Sequence, residues 1–211
     1  MGSTIQIGNG QMISAMVRQL GLIFLTGWLT INAQSQSDND LARALAADES
    51  RQAAVSRIVE SDRSVLPLLL EWVDMPPDQV DEHGLYIGLA DVFKHLKAME
   101  SIPFLIANIR LRRIRFVDLK PWLKRDDVVL NTFPSLAALV NIGPAAIDPL
   151  IRAFREPTTD EGRLCIIFAV SSIASKSEDS RAREFLSSVK ARANVELFWV
   201  DKGIKGLPVR P

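Results

Sequence analysis

The sequence predicts an all-α fold, a short α-solenoid of about four antiparallel helix pairs. A proline followed by two large apolar residues recurs at Pro67, Pro103 and Pro149. Apolar residues ahead of these prolines repeat with the 3.6-residue period of a helix. The 211 residues are 47% apolar and 24% charged, which is typical of a folded chain that forms one core or a short repeat array.

The first 33 residues are expected to act as an export signal. Residues 16–36 read MVRQLGLIFLTGWLTINAQSQ, in which Arg18 precedes an apolar stretch and small residues end at Ala33. This order is that of a secretory signal peptide, so cleavage after Ala33 is the simplest prediction. The alternative is an uncleaved signal anchor, although a spanning helix needs roughly 20 mainly apolar residues. We therefore expect an exported bacterial protein, periplasmic or secreted, that is membrane-anchored only if the segment stays uncleaved.

The repeat domain is expected at residues 41–211, after a polar tether at residues 34–40. In LYIGLADVFKHL, residues 85–96, six apolar side chains fall on one helical face. The segments QAAVSRIVE and SLAALVNIG show the same pattern, and Gly143 suits a helix C-cap. Each such helix is the first of a pair.

The second helix of each pair is predicted to begin at the recurring proline. The first turn of a helix needs no N–H donor, so proline is tolerated there. Ser64 and Ser101 lie just ahead of Pro67 and Pro103 and are expected to act as N-caps. A fourth segment, RAREFLSSV, keeps the apolar pair Phe185 and Leu186 without a proline.

The stretch LAALVNIGPAAIDPLIRAF, from Leu136 to Phe154, resembles HEAT repeats of the compact bacterial kind that occurs in phycobilin-lyase-type proteins. The resemblance is weaker at 51–73, 84–110 and 162–190. It implies a scaffold and brings no catalytic motif. From their helical positions, these residues of the stretch are expected in the core: Ile142, Ile147, Leu150, Ile151 and Phe154.

Two segments depart from the repeat pattern. An irregular basic insertion, RLRRIRFVDLKPWLKRDD, runs from Arg110 to Asp127. The C-terminal segment VELFWVDKGIKGLPVRP, residues 195–211, is expected to cover the apolar end of the last repeat as a cap.

The insertion is the candidate binding site, because basic and aromatic residues alternate in it and can hold an anionic polymer through charge and stacking. Its residues are Arg110, Arg112, Arg113, Arg115, Lys120, Trp122, Lys124 and Arg125. The alternative interpretation is that Arg110 to Arg115 end a helix and stabilise its C-terminal dipole. Export disfavours nucleic acid as the partner and leaves an acidic protein surface or a phospholipid headgroup.

The sequence carries few candidates for catalysis or metal binding. Cys165 lies in the apolar run LCIIFAV and is expected to be a small buried side chain. His83, expected in an exposed loop, and His95 lie 12 residues apart without ligands around them, so a zinc site is not predicted. We expect no cofactor, because no glycine-rich phosphate loop or nucleophile elbow occurs.

Charge is balanced overall, with 25 basic and 25 acidic residues, but not along the chain. Residues 37–100 hold 13 acidic and 6 basic residues, whereas residues 101–211 hold 12 acidic and 18 basic ones. The overall balance favours no particular partner, while the asymmetry can orient the molecule on a partner.

The functional prediction is an exported, non-catalytic scaffold or binding module whose partner is another protein. Two alternatives remain open at this stage. One is an accessory subunit or lyase-type repeat enzyme, and the other is a binder of an anionic polymer through residues 110–125. The sequence makes no prediction about a small-molecule ligand.

Overall fold

The computed structural model describes residues 36–61, 63–113, 126–156 and 158–193. Within these ranges the chain is helical and contains no strand, which confirms the all-α prediction. The chain divides into two compact units, Met1–Ala42 and Arg43–Pro211. The predicted export signal, most of the basic insertion and the C-terminal cap lie outside the described residues. Residues 36–40 of the predicted tether belong to the first helix.

The described helices of the fold include α-helices of 6 to 15 residues. Their bounds are α1 36–46, α2 Asp48–Glu60, α3 Leu66–Asp74, α4 Glu82–Leu96, α5 Ile102–Ala107, α6 Asp126–Thr132, α7 Pro134–Ile142, α8 Ile147–Arg155, α9 Asp160–Ala174 and α10 Ser180–Ala193.

The recurring prolines mark helix starts, as the sequence predicts. Pro67 and Pro103 are the second residues of α3 and α5, and Pro149 is the third residue of α8. A short 3₁₀ segment precedes each of these helices. The prolines therefore stand where no intrahelical N–H is required.

The predicted serine caps are wrong. Ser101 occupies the N-cap position of α5, but its hydroxyl donates to the carbonyl of Ala98 at 2.7 Å and makes no cap bond. The tight 3₁₀ turn brings that carbonyl within reach of the hydroxyl. The Ser64 hydroxyl likewise points to the carbonyl of Ser61.

Side-chain caps lie instead at the starts of two first helices. Asp81 accepts a hydrogen bond from the Gly84 N–H at 3.0 Å and caps α4. Thr159 accepts one from the Gly162 N–H at 3.1 Å and caps α9. These bonds satisfy N–H groups that a helix start would otherwise leave without partners.

Left-handed residues end two of the first helices. Gly143 follows α7 with φ 84°, which confirms its predicted C-cap role, and Lys97 follows α4 with φ 47°. After Gly143 the chain turns by 110° between Pro134–Ile142 and Pro144–Arg155. The two parts of this pair thus meet at 110°, short of the antiparallel geometry that the sequence predicts.

The packing of the unit Arg43–Pro211 follows chain order. The first helices contact one another in the order α2, α4, α7, α9, and the second helices in the order α5, α8, α10. In addition, α5 packs against α7 and α8 packs against α9, so the second helix of one pair contacts the first helix of the next. The largest fully buried side chains of the three central first helices and of α8 form the core between them: Leu85, Leu89, Phe93, Leu136, Leu139, Ile173, Ile147 and Leu150.

Helix α4 is buried almost all round. Beyond the predicted apolar face, Ile87 and Ala90 are also buried, since both α2 and α7 pack against this helix. Gly88 lets the end of α1 approach closely, since a Cβ there would lie 2.6 Å from the carbonyl oxygen of Leu45.

In the described ranges, no single helix has the length and apolar character needed to cross a membrane. The bent pair Pro134–Ile142 with Pro144–Arg155 meets the length and composition criteria when its two parts are taken together. Core helices meet the same criteria, and Leu136, Leu139 and Leu150 are fully buried in this core.

Candidate functional site

The first three arginines of the predicted basic site are bound within the fold. Arg112 lies at the centre of this arrangement. Its guanidinium donates to the carboxylate of Glu161 in the first turn of α9 and lies 5.5 Å from the centre of the Phe133 ring, just ahead of α7. Its carbonyl oxygen lies 3.0 Å from Nε2 of His83 in α4. Arg112 therefore joins the starts of α4, α7 and α9.

Arg113 and Arg110 also lie beside carboxylates of other helices. The Arg113 guanidinium forms a bidentate pair with Asp91 of α4, at 2.8 Å for Nη1, and its Nε donates to the carbonyl of Asn131 at 3.1 Å. Arg110 lies 4.0 Å from the second carboxylate oxygen of Glu161 and is half exposed. The segment that carries these arginines thus ties together helices that are distant in sequence.

The remaining members of the predicted set lie outside the described residues: Arg115, Lys120, Trp122, Lys124 and Arg125. A cavity of about 500 Å³ adjoins the described part of the segment and is lined by Asn108, Leu111 and the Arg112–Glu161 pair, among others. Since Glu161 already neutralises one of the two arginines beside it, this cavity offers an anion less charge than the sequence suggests.

The sequence predicts His83 in an exposed loop, and this is wrong. His83 lies in the first turn of α4, where it is half-buried. The Asp81 cap starts the helix at Glu82, three residues before the predicted start at Leu85. His95 is exposed in the last turn of the same helix. Twelve residues of helix separate the two rings by about 18 Å of rise, which is too far for a shared metal ion.

Cys165 lies on α9 with 7% of its surface exposed. Burial in an apolar environment raises the pKa of its thiol to about 12, and the negative charge of Glu161 adds to the rise, while Arg112 and Arg110 oppose it. A thiol in this state is protonated at neutral pH and is a poor nucleophile. Among the described residues, no group of His, Cys, Asp and Glu has the arrangement of a metal site.

Arg51 shows how buried charge is used in this fold. Its Nε and Nη2 donate to the carbonyls of Leu45 and Ala46 at 2.9 and 2.7 Å, and Nη1 donates to Asp48 at 2.5 Å. The two carbonyls belong to the last turn of α1 and have no partner within that helix. Arg51 therefore caps α1, and the cavity of about 470 Å³ beside it is lined by helix ends.

A groove between α8 and α10, here called the α8–α10 groove, has a different character. Its volume is about 600 Å³. The apolar residues that line it are Ile151, Phe154, Phe185 and Val189, and the polar ones are Asp148, Arg152, Arg155, Arg181, Glu184 and Ser188. The rings of Phe154 and Phe185 meet edge to face at 5.1 Å, which fixes the floor of the groove.

One end of the α8–α10 groove is closed by charge pairing. Arg181 donates to Asp148 at 2.6 Å and to Asp179 at 2.5 Å. The hydrogen bond from Arg181 lowers the pKa of Asp179 below its usual value. Arg152 and Arg155 on the α8 side are exposed, and the structure gives neither a carboxylate partner among the described residues.

Sequence reasoning assigns Ile151 and Phe154 to the core together with Ile147 and Leu150. The structure buries Ile147 and Leu150 completely but leaves Ile151 and Phe154 half-buried in the α8–α10 groove. Ile142, also expected in the core, is half-buried at the end of α7. The helical stripe of α8 is wider than the surface that α5 and α9 cover. Two exposed arginines beside that stripe were the sequence feature that could have indicated this groove.

In comparisons with known proteins, no family model, curated protein or solved structure matches this chain.

Proposed function

We propose that residues 43–211 form a short HEAT-like α-solenoid and that it serves as a non-catalytic scaffold for another protein. The chain-order contacts of the first helices and the repeated 3₁₀ turns before proline support this proposal. In a solenoid each helix pair contacts only its neighbours, so the outer faces of the helices stay free for partners.

The observation that carries the proposal is the α8–α10 groove. Its volume of about 600 Å³ is in the usual range of binding clefts. Phe154 and Phe185 supply an apolar floor, and polar side chains line the two sides. Grooves between packed helices bind amphipathic segments of partner proteins through apolar anchors and charged rims.

Protein binding ranks ahead of the two alternatives. For a lyase-type enzyme, the thiol of Cys165 is buried and its pKa is raised to about 12, so it is a poor nucleophile. For an anionic polymer, Arg112 and Arg113 already pair with Glu161 and Asp91, so binding would have to displace those carboxylates. Such exchange gives little net stabilisation.

We further propose that the protein acts outside the cytoplasm, after export directed by residues 1–33. The support is the order of Arg18, the apolar stretch and Ala33 in the sequence. A periplasmic or secreted scaffold would meet protein partners there and little nucleic acid.

The proposal is tested by site-specific photo-crosslinking in cells that produce the full chain. A photoreactive phenylalanine analogue replaces Ser188 in the α8–α10 groove and, as a control, Gln52, which is exposed on α2. We expect one discrete protein adduct from position 188 that is absent from position 52. The same adducts from both positions, or none from either, would refute binding through this groove.

A further inference from the structure

We infer that the partner segment in the α8–α10 groove is acidic, with large apolar side chains set beside its carboxylates. This inference rests on the proposed function and adds the chemistry of the partner. It is derived from the floor of the groove, the charge on its rim and the contrast between that rim and the other arginines of the fold.

The floor of the groove demands apolar side chains. Ile151 and Phe154 lie one helical turn apart on α8 and are only half-buried. Phe185 and Val189 lie four residues apart on α10 and also line the groove, where only 8% and 7% of their surfaces are exposed. Ile151 and Phe154 therefore expose most of the apolar surface of the floor, and large side chains from a partner would remove it from water.

The rim on the α8 side favours acidic side chains in the partner segment. Arg152 and Arg155 are three residues apart, so their side chains are neighbours on the helix surface and repel each other. Within the described ranges, neither has a carboxylate in ion-pair distance. A carboxylate placed between them would relieve the repulsion and pair with both.

The other arginines beside carboxylates make the contrast clear. Arg51, Arg112, Arg113 and Arg181 all hold acids of this chain at short range. Arg152 and Arg155 are exposed and line the apolar groove. No acid among the described residues lies within ion-pair distance of either guanidinium. Two positive charges without an acidic partner among the described residues therefore stand at this groove; Arg57 and Lys176 are exposed as well, but neither lines it.

The opposite rim sets the orientation. Glu184 lies on the α10 side and would repel a carboxylate placed there. The partner segment therefore carries its acids along one edge, toward α8, and its apolar residues toward the Phe154–Phe185 floor. A basic segment would meet two cations on α8 and is disfavoured.

The test uses the full chain and a phage-displayed library of random peptides of about 16 residues, long enough for a helix of about four turns. The groove variant is Arg152→Glu with Arg155→Glu. The control variant is Arg57→Glu with Lys176→Glu, which changes the net charge equally at exposed positions outside the groove. Circular dichroism verifies that both variants fold.

We expect the selected peptides to combine large apolar residues with an excess of Asp and Glu. Measured by fluorescence anisotropy, their affinity should fall about 10-fold or more in the groove variant, which corresponds to about 1.4 kcal/mol. It should change less than about 2-fold in the control variant, and it should weaken as salt screens the pairs.

Several outcomes would overturn the inference. If the selected peptides show no excess of Asp and Glu, or if they lose equal affinity for both variants, the inference about an acidic partner is wrong. The proposal of a peptide-binding scaffold would still stand. If the library yields no binding peptide, the proposed function is contradicted as well. If a synthetic peptide of residues 194–211 displaces the selected peptides, or if the groove variant converts a dimer to a monomer in sedimentation, the occupant belongs to this chain and the inference fails.

Discussion

Replacing Arg112 with Met tests whether the basic segment is a structural tie. The substitution keeps an unbranched, largely apolar side chain that can still cover the Phe133 ring. It removes the guanidinium that donates to Glu161 and that lies 5.5 Å from that ring. The carbonyl of Arg112 and its contact with His83 stay in place.

The expected loss follows from these contacts. Arg112 and Glu161 are 27% and 36% exposed, so their pair lies between a surface pair of about 0.2–1 kcal/mol and a buried charged hydrogen bond of about 1.5–3 kcal/mol. The cation over the ring adds about 0.5–1 kcal/mol. We expect a decrease of about 2 kcal/mol in the free energy of unfolding.

The measurement is urea unfolding followed by circular dichroism, with Arg163→Met as the control. Arg163 is 47% exposed and lies 3.8 Å from a nearly fully exposed Asp160, so its replacement should cost less than about 0.5 kcal/mol. A double-mutant cycle with Glu161→Gln isolates the ion pair. If Arg112→Met is as stable as Arg163→Met, the segment is no tie and the arginine is free to bind ligands.

Four other outcomes are expected. Arg51→Met should lower the unfolding free energy by about 2–4 kcal/mol, because two carbonyls of α1 lose their donor; a loss under about 0.5 kcal/mol in urea unfolding would contradict the cap. The thiol of Cys165 should stay unreactive toward Ellman's reagent at pH 8 until the chain unfolds. Because its folded pKa of about 12 lies above the usual thiol value of 9.0, stability should fall as pH rises from about 9 toward 12, and Cys165→Ala should show a shallower fall. Equal slopes would argue against the raised pKa. Residues 1–40 fused to alkaline phosphatase should yield periplasmic activity, and retention of an inactive fusion in the cytoplasm would contradict the export proposal.

Several helix boundaries could be predicted from the sequence because they depend on the backbone restrictions of single residues. Pro67, Pro103 and Pro149 mark first turns, and Gly143 ends α7, through restrictions on their own φ angles. The serine caps failed because a hydroxyl has several nearby carbonyls to choose from. At Ser101 the 3₁₀ turn, which the sequence did not reveal, decides the choice.

The site was less predictable. The sequence identified Arg110, Arg112 and Arg113 as a charged segment but could not supply their partners. Glu161 is 49 residues from Arg112, and Asp91 is 22 residues from Arg113. These separations follow no local period, so only the packing of α4, α7 and α9 brings the charges together.

By itself, the sequence determined that the described part of the chain is helical, where α3, α5 and α8 begin and where α7 ends, because backbone restrictions and 3.6-residue periodicity act over a few neighbouring residues. Only the tertiary structure decided which charged side chains pair within the fold and which apolar side chains remain partly exposed. Packing turned Arg112 into a tie between three helix starts and left Ile151 and Phe154 half-buried beside Arg152 and Arg155. Burial and charge pairing depend on which helices meet, and that depends on the whole chain.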